Sequence, residues 1–132
     1  NNVIAVVIRE QSDVVSEHGF RLNNNMFVVG PIALFPRSLF QWNIRTAKDI
    51  TPESLTLFLR LEPKLNILVI GYGDRDNRIS KDVYTTCSKL GIGLEALPTY
   101  EASTTFNFLN TEYRCVAAAL LPPRNIHLVD SN

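Results

Sequence analysis

An excess of charge of either sign is missing from this chain of 132 residues, because Lys plus Arg and Asp plus Glu number 13 each. A neutral, evenly mixed chain argues against a nucleic-acid binder, whose affinity comes from basic surface laid on phosphate. It argues equally against a polybasic membrane anchor. Long apolar runs are missing too. The longest, around Val28 to Phe35, is interrupted by Gly30-Pro31 and falls short of the ~18–20 residues that a spanning helix needs. Cysteine is scarce: Cys87 and Cys115 lie far apart in no C-x-x-C pair, which excludes a secreted disulfide scaffold and reads as two reduced, buried thiols. His18 and His127 sit near the two ends, and neither has metal-ligand spacing to another His or Cys. No G-x-S-x-G and no G-x-x-x-x-G-K-S/T occurs. The first residue is Asn rather than Met, which reads as a processed or trimmed product whose targeting peptide is out of view.

What is present is an ordinary globular composition, with 45% apolar and 20% charged residues. That supplies one core and one domain. The expected division is residues 1–18 as an N-terminal extension or edge strand, 19–123 as a single α/β domain and 124–132 as a C-terminal tail. Ile4 to Ile8 is a short apolar run with strand character, followed by a polar connection from Gln11 to His18. Gly19-Phe20-Arg21-Leu22 alternates into Asn23-Asn24-Asn25 and resumes at Met26 to Val29, a hairpin pattern because Asn tolerates left-handed backbone. Ile32 to Phe35 and Ser38 to Ile44 read as further strands with a bend at Pro36.

Helices enter at Thr51-Pro52-Glu53, where Thr is a cap, Pro suits the first helical position and Glu favours the positive end of the dipole. Glu62-Pro63 is expected to close that helix. Asn66 to Ile70 is apolar without alternation, as in a central strand buried on both faces. Ser80 caps a second helix, with Val83, Cys87 and Leu90 on one stripe and Gly91 as its stop. Ile92 to Ala96 is a strand, Thr99 a cap for a third helix carrying Ala102, Phe106 and Leu109, and Cys115 to Leu121 a final strand. Strands followed by α-β-α-β-α-β predict an α/β fold, a mixed central sheet with helices packed on it and an N-terminal run of antiparallel strands. A strand made of Val116-Ala117-Ala118-Ala119-Leu120 implies helices packed close on a small-residue surface.

Candidate functional residues fall into three groups. On the first helix, Leu55, Phe58 and Leu59 form one face, and Leu57 and Leu61 widen it to an arc of roughly 200° against the ~100° stripe of a surface helix. Either neighbours cover both flanks, or Leu57 and Leu61 await a partner. Phe40 and Trp42 share one side of a strand by alternation, as core residues or as interface aromatics. Arg75 and Arg78, in the charged loop Asp74 to Arg78, are either solvated and mutually paired or a recognition element for a partner or an anion. Gly71-Tyr72-Gly73 follows a strand as a nucleotide-binding turn does, but the third glycine of that fingerprint is replaced by Asp76. Glu95, Glu101 and Glu112 are scattered, and the sequence does not pair them as acid and base.

Several segments together carry a resemblance. They are Gly30-Pro31-Ile32-Ala33-Leu34-Phe35-Pro36, Trp42-Asn43, Asp49-Ile50-Thr51, Leu61-Glu62-Pro63, and Val69-Ile70-Gly71-Tyr72-Gly73-Asp74-Arg75. Beyond these come Thr105-Phe106-Asn107-Phe108-Leu109, Glu112-x-Arg114 and the run Val116 to Pro123. In order and spacing, from about Gly19 to Pro123, the chain resembles the family of NADH dehydrogenase (ubiquinone) alpha subcomplex assembly factor 3, a mitochondrial branch of a wider domain-of-unknown-function family. The resemblance implies a mixed-sheet α/β domain and a non-enzymatic role in building respiratory complex I, with no cofactor. It implies complex I assembly factor 4 and quinone-module subunits of complex I as partners, on the matrix side of the inner mitochondrial membrane. Two positions depart from the family: Tyr72 stands where Thr is usual, and Tyr113 where Gly is usual. Because no helix sets a basic face against an apolar one, membrane contact is expected to be indirect, through partners. The alternatives are a small ligand-binding or enzymatic domain using the Gly71–Arg78 turn, or a cytosolic relative of the same fold with another partner.

Overall fold

The computed structural model describes residues 6–10, 18–22, 26–35, 38–113 and 115–123. Strands β1 (Val6–Glu10), β2 (His18–Leu22) and β3 (Phe27–Val29) form an antiparallel sheet in that order. The amide of Leu22 donates to the carbonyl of Met26 at 2.9 Å and closes the β2–β3 hairpin around Asn23–Asn25, which lie outside the described residues. Pro36 and the expected tail 124–132 also lie outside them.

Strands β4 (Ile32–Phe35), β5 (Ser38–Gln41), β6 (Ile67–Gly71), β7 (Gly93–Leu97) and β8 (Val116–Leu120) make the main sheet, in the order β5-β4-β8-β6-β7. The β4–β5 and β4–β8 pairs are antiparallel, and β6 pairs in parallel with both β7 and β8. Strands β4 and β8 are buried along their whole length. Period-two alternation therefore sends successive side chains into two separate cores. Ala33, Phe35, Leu68, Ile70, Ala117 and Ala119 face one, where Val83 and Cys87 of helix α2 (Lys81–Leu90) join Phe58 and Trp42. Ile32, Leu34, Val69, Ala118 and Leu120 face the other, with Ala102 and Phe106 of helix α3 (Thr99–Glu112) and Phe20 of the small sheet. Alanine on β8 permits this close packing. At Gly71 a methyl group would stand 2.9 Å from Leu120 Cδ2 and 3.2 Å from Ala102 Cβ, so α3 approaches because no side chain is there.

Helix α2 matches the sequence signals. The Ser80 hydroxyl accepts from the Asp82 amide at 3.1 Å, and Gly91 ends the helix at φ 73°. Leu90 departs from the expected stripe and is exposed. Tyr113 sits at φ −119° in extended backbone, so replacing glycine there strains nothing. Thr99 is no helix cap. Pro98 precedes the helix, and the Thr99 side chain is fully buried.

The first expected helix is largely absent. A 3-10 turn over Glu53–Leu55 leads into helix α1, a single turn at Thr56–Leu59. The Thr51 cap does form, as a reciprocal pair: Ser54 N donates to Thr51 Oγ1 at 3.2 Å and Thr51 N to Ser54 Oγ at 2.9 Å. Elongation stops for two reasons. The Thr56 hydroxyl bonds back to the Glu53 carbonyl at 2.8 Å, a local alternative to helix. Only Leu55 and Phe58 are fully buried, with Leu59 and Leu61 partly buried against the same core, so burial rewards little beyond one turn. The strand expected to reach Ile44 likewise ends at Gln41.

Candidate functional site

The early end of α1 decides where its leucines go. Leu55 and Phe58 point inward, whereas Leu57 points out and is 58% exposed. The chain then turns through Leu61 and the cis Glu62–Pro63 peptide toward β6. This brings Leu57 and Leu61 opposite Phe40 on the edge strand β5, across a groove of about 370 Å³. Phe35 and Cys115 complete its floor, Ser38 and Pro63 its ends, and among the described residues Glu62 is the one charged residue lining it. The aromatic floor is well supported. Phe35 stacks on Phe58 with centroids 4.9 Å apart and meets the Phe40 ring edge-on at 5.8 Å. Phe40 itself is 51% exposed.

Trp42 lies outside the groove. The strand has ended before it, and it is buried at 7% exposure, edge-on to Phe58, with its indole N–H donating to the Ser54 carbonyl at 3.1 Å. Phe40 and Trp42 thus part company, one on the surface and the other beneath it. Nothing in the sequence marked Phe35, Pro63 and Cys115 as lining one groove, because they come from a strand end, a loop and the residue just before another strand. The Cys115 thiol faces the Pro63 carbonyl at 3.8 Å. Cys87 is buried against the sheet, and burial pushes its thiol pKa up.

The glycine turn lies at the opposite end of the sheet, where Gly71 pairs with Leu120. Its backbone is already engaged. Gly73, at φ 93°, donates its amide hydrogen bond to Thr99 Oγ1 at 2.7 Å, and the Thr99 hydroxyl donates in turn to the Leu121 carbonyl at 2.6 Å. Tyr72 N donates to the Leu97 carbonyl at 3.0 Å, and Asn77 Nδ2 to the Tyr72 carbonyl at 2.9 Å. A phosphate cradle needs amides aimed into open space, and these two amides tie the turn to the end of β7 and to Thr99 of α3 instead. The exposed Arg75 guanidinium pairs with Glu101 of α3, and Arg78 Nη1 donates to the carbonyl of Asn77 at 2.8 Å. Neither arginine approaches the groove. Beside this turn a second cavity of about 340 Å³ is lined by Arg45, Asp74, Asn77 and Pro122. At its border the Asp49 carboxylate accepts the amides of Arg45 and Thr46 at 3.0 and 3.1 Å, and these bonds hold its pKa below 3.8.

Comparison with known proteins gives the family and bears out the fold. Residues 12–121 match the family described as "Protein of unknown function (DUF498/DUF598)". A Drosophila melanogaster protein named NADH dehydrogenase (ubiquinone) 1 alpha subcomplex assembly factor 3 is 49% identical over 115 residues, which is 86% of this chain and 58% of that protein. The Danio rerio protein of the same name is 45% identical over 108 residues, 82% of this chain and 62% of its own length. The chain thus spans about three fifths of the length of these curated relatives. A crystal structure of a Bordetella parapertussis protein superposes with a TM-score of 0.70 at 26% identity, covering 89% of this chain and 96% of that one.

Proposed function

We propose, for a chain that belongs to the DUF498/DUF598 family, that it works as a non-enzymatic assembly factor for respiratory complex I. The observation that carries this reading is the 49% identity, over 86% of the chain, to a protein bearing that name. The site is of a matching kind. A scaffold needs apolar surface left open on a stable fold, and the groove between β5 and α1 offers Phe40 and Leu57 more than half exposed. In this reading Phe40, Leu57 and Leu61 meet a partner, with Trp42 as the buried support beneath them. Arg75 and Arg78 form a separate polar contact at the other end of the sheet. The partners are complex I assembly factor 4 and quinone-module subunits, and the place of work is the matrix side of the inner mitochondrial membrane. No helix among the described residues is long and apolar enough to cross a membrane, and membrane contact runs through partners.

Depletion of the protein tests the reading. Native gels of depleted cells are expected to show less mature complex I and altered quinone-module intermediates. Normal complex I in true null cells sinks it.

A further inference from the structure

We infer that β5 receives an added strand: an extended segment of a partner protein pairs along Ser38–Gln41 and seats an apolar side chain in the adjoining groove. The inference rests on the assembly-factor reading for the identity of the partner, but its geometry comes from the strand itself. Among the described residues β5 is an edge of the main sheet, and Trp42 N, just past its end, donates to the Pro31 carbonyl at 3.0 Å on the β4 side. In an antiparallel pair these directions alternate. Ser38 and Phe40 therefore turn their backbone groups toward β4, and Leu39 and Gln41 turn theirs outward. Natural edge strands are blunted by charge, proline or a covering element. The other edge, β7, carries the exposed Glu95, whereas Ser38-Leu39-Phe40-Gln41 carries no charge at all and ends in two exposed residues.

Such an edge selects its occupant. Outward N–H and C=O groups two residues apart are matched by another extended backbone, the mode of strand addition, in which adjoining pockets read alternate side chains. The groove lies on the Ser38 and Phe40 side of the strand, and among the described residues its lining is apolar apart from Ser38 and Glu62. The segment that fits it carries an apolar residue over the groove and a basic residue beside Glu62. A second copy of this chain fits poorly. The exposed apolar side chain on its β5 is Phe40, which already forms its own groove wall against Phe35.

The test uses the intact chain in mitochondria, with p-benzoylphenylalanine replacing Phe40 as a photo-crosslinker. The expected product joins this position to one short segment of an assembly factor or quinone-module subunit. Gln41→Pro removes one outward N–H yet leaves the bonds to β4 intact, because proline is tolerated on an edge where its nitrogen faces solvent. It is expected to lower the crosslink yield by about tenfold or more, from the lost bond and the ring's clash with the incoming strand. Glu62→Lys is expected to lower it about threefold at low salt. If Gln41→Pro melts early, amide exchange in the wild type decides, with Leu39 and Gln41 protected in the captured complex and open in the free chain. A crosslink to an extended segment of a protein outside complex I upholds strand addition and removes the complex I reading. Undiminished capture by a folded Gln41→Pro overturns the inference. So does equal exchange in free and captured chain, a crosslink only to lipid or to a second copy, or no crosslink at all.

Discussion

The two ends of the main sheet hold opposite kinds of surface. At the carboxyl ends of β6 and β8, the glycine turn has many polar groups, and they are bonded to one another through Thr99, Asn77 and the Arg75–Glu101 pair. At the other end the groove beside β5 has few polar groups and leaves Phe40 and Leu57 open to solvent. Charge density in a sequence attracts attention, but a polar group answered within its own chain has little left for a partner. Exposed apolar area beside an uncharged edge strand has free energy still to gain on association.

The comparison breaks most visibly if the ring that supports the groove's floor is removed. Phe58→Ala is expected to cost about 3–5 kcal/mol in urea unfolding, because it deletes the ring that stacks on Phe35 and meets Trp42. A loss under ~1 kcal/mol would mean that the floor refills and that the groove is not rigid. At the other end Thr99→Val keeps the shape and strips the hydroxyl. It orphans the Gly73 amide and the Leu121 carbonyl, for an expected loss of about 2–4 kcal/mol. An unchanged midpoint would show that the turn's network is ornamental to stability.

Surface changes should separate the two ends by function rather than by stability. Leu57→Asp is expected to shift stability by no more than ~0.5 kcal/mol while abolishing co-purification of complex I components. A cooperative melt with capture intact would retire Leu57 as a contact. Arg75→Ala breaks only an exposed ion pair, and thermal melts are expected to move by less than the equivalent of ~0.5 kcal/mol. The smallest effect is at Asp49, whose carboxyl is held below 3.8 by the amides of Arg45 and Thr46. A depressed folded-state pKa contributes stability above the unfolded value and loses it as pH falls through the folded one. Asp49→Asn should therefore trail the wild type at pH 7 and converge with it only in acid below the lowered folded-state value. A gap that persists there would assign the effect to shape rather than charge.

Much of the fold was legible because it rests on local chemistry. Ser80 and Gly91 bracket α2, and the unalternating run at β6 announces a strand buried on both faces. Strands β2 and β3 pair in antiparallel fashion, as the alternation on either side of the asparagines predicts. Less of the site was legible. Phe40, Leu57 and Leu61 stood out by period, but their meeting did not, since the groove joins segments far apart in the chain with Phe35 and Cys115 between them. The helix over Thr51–Glu62 was over-read: capping and leucine spacing describe how a helix starts, and they do not say how much of it a core will cover.

Sequence by itself determined the order of the elements, the strand-helix alternation and the small-residue strand β8, because caps, breakers and apolar period act over a few residues. Tertiary structure alone decided that Trp42 is buried while Phe40 is exposed, that α1 stops after one turn, and that Thr99 bonds a turn rather than caps a helix. It also decided that β5 is an edge. Those outcomes depend on which surfaces the packed sheet covers and which backbone groups its neighbours reach, and burial and pairing of that kind exist only once distant segments have met.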